Sequence, residues 1–298
     1  MGILETIIKD YRIDSEISKF EFEKLNKFCD STYRNYCSLF EQLSYIGKVE
    51  WILRTYFSAK KLLLSAVFFT QSQYIDDKNL FNLKHYTMYY SLFNALSSNL
   101  ILTPYFKLGS IMNISHKRIF KDTQNYFVNR GVFPSSMLKV FNDLRFMREL
   151  YSYHLPVGRN ITAENPSLDS SVQLSNLEEI LPWSLYLSNI LSFLMYYAWN
   201  RKNISFDDEY DTYSEEVDEI FFSFISHGDF LGKYNIIGDD DYYRLGYVLN
   251  TIRAPIPISW FIIDKVCEDF ECSVYDEPEE NRYDFSDAAQ YISDIFRV

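Results

Sequence analysis

Apolar positions along the 298-residue chain recur mostly at spacings of three and four, which predicts helices rather than strands. Residues 15–46 carry Ile17, Phe20, Leu25 and Phe28 in this rhythm and read as a helix or a helix pair, with a break expected at Gly47. From 48 to 71, Trp51, Ile52, Thr55, Tyr56, Ala59, Leu62, Leu63 and Ala66 form one apolar face, with Lys60 and Lys61 on the wet side. The polar stretch QSQYIDDKN predicts a turn. A helix over 80–102 follows, with Tyr86, Tyr89, Tyr90, Phe93, Leu96 and Leu100 as its stripe and Pro104 as its stop. Residues 114–130 predict another, opened by Asn113 or Ser115 as cap and closed by Gly131. Pro134 suits the first turn of the next, PSSMLKVFNDLRFMRELYSYHL, which Pro156 ends. Residues 157–175 read as loop and 176–202 as a long helix. Beyond it, helical stretches are expected near 214–226 and 239–252, with a further apolar run over 256–266.

This pattern predicts an all-α protein in three parts: an N-terminal helical segment over 1–47, a helical bundle over 48–202 and a mainly helical C-terminal extension over 203–298. Composition agrees. Only 9 Gly and 8 Pro interrupt the chain, and 25 Tyr and 25 Phe supply bulky core material. Two uncharged runs, Lys84 to Lys107 and Glu179 to Arg201, are long enough to span a bilayer. Asn94, Asn99, Asn189, Pro182 and several serines within them favour a buried bundle instead, so no membrane is expected.

Charge sharpens the third boundary. Residues 1–202 hold 23 Lys+Arg against 18 Asp+Glu, a net of +5, while residues 203–298 hold 6 against 23, a net of −17; together these give −12. The switch begins at FDDEYDTYSEEVDE. The acidic part is a solvated face, a mimic of nucleic acid lying over the basic body, or a dock for a basic partner protein. The acidic runs lack the ligand periodicity and central Gly of a calcium loop. Cys29, Cys37, Cys267 and Cys272 have no zinc-ligand spacing, and no metal or other cofactor is expected. The opening MGILETIIKDYR carries acids where a secretory leader needs bases, so reduced cysteines in a cytoplasm are the expectation.

Three pieces carry candidate chemistry: HYTMYYSLFNALSSNL (85–100), SHKRIFKDTQNYFVNRGVFP (115–134) and LKVFNDLRFMRELYSYH (138–154), the last ending in Arg148, five residues and His154. In this order and spacing they resemble the HEPN domain, a helical bundle found among metal-independent endoribonucleases. A similar aromatic helix occurs in the YaaC-like proteins of bacteria, and the resemblance leaves the two groups open. It implies an RNA-cleaving toxin or phage-defence effector acting as a homodimer, with RNA as its partner molecule. His154 would move a proton at the ribose 2′-hydroxyl or the leaving 5′-oxygen, and Arg148 would balance charge on the phosphoryl oxygens, leaving a 2′,3′-cyclic phosphate. Tyr151, Ser152, Tyr153, Lys117 and Arg118 would contact the substrate. Glu149 departs from the family pattern and is placed to pair with Arg148. Pro156 stands where tyrosine-silenced members carry their Tyr.

Read from the residues alone, Arg148 and His154 lie about 9 Å apart along one helix and about 120° apart around it, so a second protomer or a frayed helix end is needed to unite them. The plainer roles are a surface ion pair for Arg148, a helix C-cap for His154 and a helix-start position for His116. His85 and His227 read as structural, and the tyrosines of 86–90 as core. The competing functional class is a non-catalytic helical module that binds a nucleotide or a partner protein.

Overall fold

A computed structural model of the chain describes residues 2–77, 81–112, 114–153, 170–204, 253–261 and 286–296, and all regular structure among them is helical. The helices are α1 (Ile3–Tyr11), α2 (Asp14–Ile17), α3 (Phe22–Phe40), α4 (Tyr45–Asp77), α5 (Phe81–Leu102), α6 (Leu108–Met112), α7 (His116–Thr123), α8 (Ser135–Tyr153), α9 (Ser170–Arg201), α10 (Ile258–Phe261) and α11 (Ser286–Phe296). Among the described residues no helix is long and apolar enough to cross a membrane.

Helix α5 is the axis of the bundle. It packs along α4 and is also covered by α7, α8 and α9. Covered on so many sides, it buries residues all round its circumference: Met88, Leu92, Ala95, Leu96, Leu100 and Ile101, but also Ser91, Ser98 and Asn99. The polar ones meet each other across helices. Ser58 on α4 bonds Ser98 at 2.5 Å, and Ser98 bonds Ser188 on α9 at 2.9 Å. Ser65 and Ser91 exchange hydroxyl-to-carbonyl bonds at 2.8 and 2.9 Å. Asn99 donates to the Ser184 carbonyl at 2.6 Å and accepts from the Ser184 hydroxyl at 2.7 Å. Small side chains let the helices approach, and their hydroxyls complete one another's bonds.

The buried core runs unbroken from Leu4 and Ile7 on α1 to Ile292 and Phe296 on α11, so both ends of the chain contribute to it. Helix α11 was not legible as a separate element, although Ala288, Ile292 and Phe296 at intervals of four face α4. The stretches 214–226 and 239–252 lie outside the described residues, and of the 256–266 run only α10 is described.

Several boundaries differ from the pattern reading, among them the start of α9 at Ser170 rather than 176. The break before α4 falls at 41–44, not at Gly47. Ser44 supplies the reason: its hydroxyl accepts from the Gly47 N–H at 3.2 Å and its carbonyl accepts from Lys48 N at 3.0 Å, so an N-cap fixes the start and Gly47 sits harmlessly in the first turn. The polar QSQYIDD stretch continues α4 to Asp77, and Asp76 there accepts from the buried Lys84 ammonium at 2.5 Å across the corner to α5. Finally, the helix expected over 114–130 is α only through Thr123. A π turn over Gln124–Val128 follows, closed by Asn129 N to the Gln124 carbonyl at 2.8 Å. Gly131 then takes φ +71°, which a Cβ would strain, and any Cβ there would also strike Lys24 Cδ at 2.4 Å.

Arg54 fixes the next corner. Fully buried on α4, it donates to the carbonyls of Ile101 (2.7 Å), Thr103 (3.2 Å) and Phe106, the free carbonyl end of α5 and the loop beyond it. Glu50 neutralises it at 2.6 Å and also accepts from Leu108 N at 3.3 Å. The loop 103–107 is thereby anchored, with Tyr105 and Phe106 on its outer side half-buried.

Candidate functional site

Three helices converge on Arg148. Ser115 caps α7, accepting from Arg118 N at 3.3 Å, and this places His116 in the first helical position. From there the imidazole packs against Tyr89 (5.4 Å) and Phe93 (5.0 Å) of α5. Helix α8 brings Arg148 over Tyr89 as well, its guanidinium 4.9 Å from that centroid and 5.9 Å from that of Tyr90. Arg148 Nη1 donates to the Tyr90 phenol oxygen at 3.3 Å and approaches His116 Nε2 at 3.5 Å. On the other side of the ring, His116 Nδ1 bonds the Tyr89 phenol.

A guanidinium only donates, so its contact with Nε2 requires a lone pair there. In the neutral tautomer with its proton on Nδ1, Nε2 accepts from Arg148 and Nδ1 donates to Tyr89. Its pKa is held below the ordinary histidine value, chiefly by burial, then by the Arg148 and Arg145 charges, with Glu149 pulling the other way. The Tyr89 phenol is pushed up, mainly by burial, and stays protonated.

Arg148 is held but not saturated. Its side chain is 11% exposed, and its Nε–H is buried with no acceptor among the described residues. Glu149 lies 3.6 Å from Nη2 and 3.5 Å from Arg145 Nε, so one half-exposed carboxylate is shared loosely between two cations. The pairing of Glu149 with Arg148 expected from adjacency is thus present, at a length that leaves room for a competing anion. Tyr86 is 42% exposed and packs against Tyr90 with ring centroids 4.6 Å apart, tilted at 52°.

The structure places the other residues singled out in the sequence as follows. Tyr151, one turn beyond Arg148 on α8, stacks on His85 at 5.1 Å and 13°, in the same α5–α8 seam. Lys117 and Arg118 follow His116 on α7 and are exposed. Arg118 is tied to Asp122 at 3.3 Å and approaches the Ser110 carbonyl at 3.5 Å. Ser152 and Tyr153 close α8, with their side chains outside the description, and His154 lies outside the described residues. Among the described residues Arg148 meets one imidazole, that of His116. The sequence signal for it was present: a Ser-His pair at a helix start puts the ring in the first turn, facing whatever α7 packs against. Its role as a helix-start residue after a capping serine holds, and the contact with Arg148 is additional.

The cluster joins an imidazole, a delocalised cation and two phenols where α5, α7 and α8 meet. That set suits a phosphate ester, whose developing negative charge a guanidinium offsets while a neutral imidazole takes a proton. No family model matches the chain, and neither a curated protein nor a solved structure does.

Proposed function

We propose that the chain is an endoribonuclease with its reacting groups at the Arg148–His116 cluster. The single observation that carries this reading is an imidazole nitrogen 3.5 Å from the guanidinium of a mostly buried arginine. His116 Nε2 takes the proton of a ribose 2′-hydroxyl, displacing its long contact with Arg148. The freed Nη1, with Nη2, then binds the phosphoryl oxygens as charge accumulates. The 2′-oxygen attacks phosphorus, the 5′-oxygen leaves and a 2′,3′-cyclic phosphate remains. The leaving oxygen needs a proton from a second acid, the role that remains for His154. No step calls for a metal ion. A homodimer in the cytoplasm, acting as a toxin or phage-defence effector, is the setting the HEPN resemblance implies for such chemistry, and the acidic 203–298 region is the surface for a partner protein.

The test is direct. Purified protein is incubated with RNA in the presence of EDTA and the new ends are sequenced. Cleavage leaving cyclic phosphates is expected, with His116→Ala and His154→Ala each slower by about 10²- to 10⁴-fold. Full activity in His116→Ala refutes the assignment. Intact RNA with the wild-type protein refutes the nuclease, and favours the non-catalytic nucleotide- or protein-binding module, for which the Glu149–Arg148 contact is the supporting observation.

A further inference from the structure

A second constellation lies along α7 from the cluster, beyond the residues used above. The π turn carries Tyr126, ten residues after His116 and about 15 Å farther along the helix direction. An extra residue per turn moves a side chain out of α register, and such turns recur at functional sites. Here it lets Phe127 enter the core while Tyr126 stacks on Tyr105 of the anchored loop at 4.8 Å and 20°. Arg130 lies 5.1 Å from the Tyr105 ring and 5.7 Å from that of Tyr126, and donates to the Tyr105 phenol oxygen at 3.0 Å. Asn35 of α3 donates to the same oxygen at 3.0 Å. Phe106 meets Tyr126 edge-on at 5.0 Å, and Arg118 stands 5.8 Å from the Phe106 ring, which carries the track back to the turn that holds His116.

The charge of this stretch is one-sided. Residues 104–130 hold five cations, Lys107, Lys117, Arg118, Lys121 and Arg130, against one acid, Asp122. That acid is largely covered and paired with Arg118, whereas all five cations are exposed. Cations interleaved with aromatic rings are what a flexible polyanion with flat bases requires: the cations follow the phosphates, and the rings and the guanidinium plane offer stacking faces. A duplex hides its bases and an acidic peptide has none, so the aromatic half of the track favours a single strand.

We infer that Tyr105, Tyr126 and Arg130, reached through Phe106 and Arg118, form a binding subsite for single-stranded RNA a few nucleotides from the reacting phosphate. This rests on the nuclease reading for what happens at the far end, but not for the binding itself. The subsite gives longer strands an advantage that a dinucleotide lacks.

Binding of 2′-O-methyl RNA, which cannot form the cyclic phosphate, is measured by fluorescence anisotropy for a dinucleotide and a strand of about twelve nucleotides, within the span such sites cover. Arg130→Gln and Tyr126→Ala are each expected to weaken the long strand about tenfold and leave the dinucleotide unchanged. Arg130 is exposed and safe to replace; circular dichroism checks the fold of both variants. Long-strand affinity unchanged in folded variants overturns the subsite. So does equal affinity for duplex, or a response of anionic vesicles or acidic peptide to these substitutions without one of single-stranded RNA. A protein that never cuts RNA yet loses long-strand affinity on Arg130→Gln keeps the subsite and loses the nuclease. One that cuts RNA with no length preference keeps the nuclease and loses the subsite.

Discussion

Two polar regions lie on opposite flanks of α5, and they are built differently. Toward α4 and α9, serines and Asn99 form a closed seam in which each hydroxyl and the amide have partners, most at 2.5–2.9 Å. Toward α7 and α8, Arg148 reaches Tyr90, His116 and Glu149 at 3.3, 3.5 and 3.6 Å, and its Nε–H meets no acceptor among the described residues. A closed network holds helices in one arrangement and has nothing to offer a ligand. An open one stores donors at some cost to stability, as sites that act on a ligand do. The same helix thus separates groups that maintain the fold from groups free to change partners.

The largest test of this division is a crossed pair of substitutions. Arg148→Met is expected to lower RNA cleavage by about 10²- to 10³-fold while leaving unfolding free energy within about 1 kcal/mol, because it removes an unmet donor along with a loose ion pair. Asn99→Ala reverses the outcome, losing roughly 1–3 kcal/mol in urea titration, since the Ser184 carbonyl and hydroxyl lose their bonds to the amide, with cleavage unchanged while the protein is folded. An Arg148→Met protein as unstable as Asn99→Ala sinks the contrast.

A smaller effect sharpens it from a third buried polar group. Glu16 on α2 is 2% exposed, and both its oxygens accept from Asn189 Nδ2 at 3.1–3.2 Å, while Asn189 Oδ1 receives Ser259 N at 3.2 Å. Burial, only partly opposed by the Asn189 bond, pushes its carboxyl up to about 7 from an ordinary 4.5. The native state therefore prefers the protonated acid. That preference contributes fully below pH 4.5 and is lost as pH rises through about 7, a change on the order of 3 kcal/mol. Glu16→Gln should flatten the loss between those limits. A wild-type stability that does not fall over this window removes the account.

How much of this was visible in the chain follows from what periodicity can carry. The stripes of α4, α5 and α8 repeat over many turns, so their existence and the all-α class were legible. Where α4 begins was not, because one hydroxyl, that of Ser44, outweighed the usual meaning of Gly47. The π turn escaped because a single added residue leaves apolar spacing nearly intact. Arg148 stood out through its motif. Its partner His116 did not, because residues 32 apart meet only through the packing of α7 on α5 and α8.

The finest test concerns the field at that imidazole. Burial and the Arg148 charge lower the His116 pKa, and Glu149 raises it. On the proposed mechanism a neutral His116 would be the base, so the acid limb of kcat/KM should lie below the ordinary value of 6.5, and the imidazole proton resonance should titrate with it. Glu149→Gln removes the opposing charge and moves both further down, while freeing Arg148 and Arg145 for phosphate. Arg148→Met moves the resonance back up. Native stability carries the same sign. The neutral form is favoured on folding, so its contribution is present above pH 6.5 and is lost as pH falls through that value toward the lowered one. If Glu149→Gln leaves the resonance in place or raises it, the carboxylate is not acting on the ring, and the loose contact with Arg148 is no more than a surface pair.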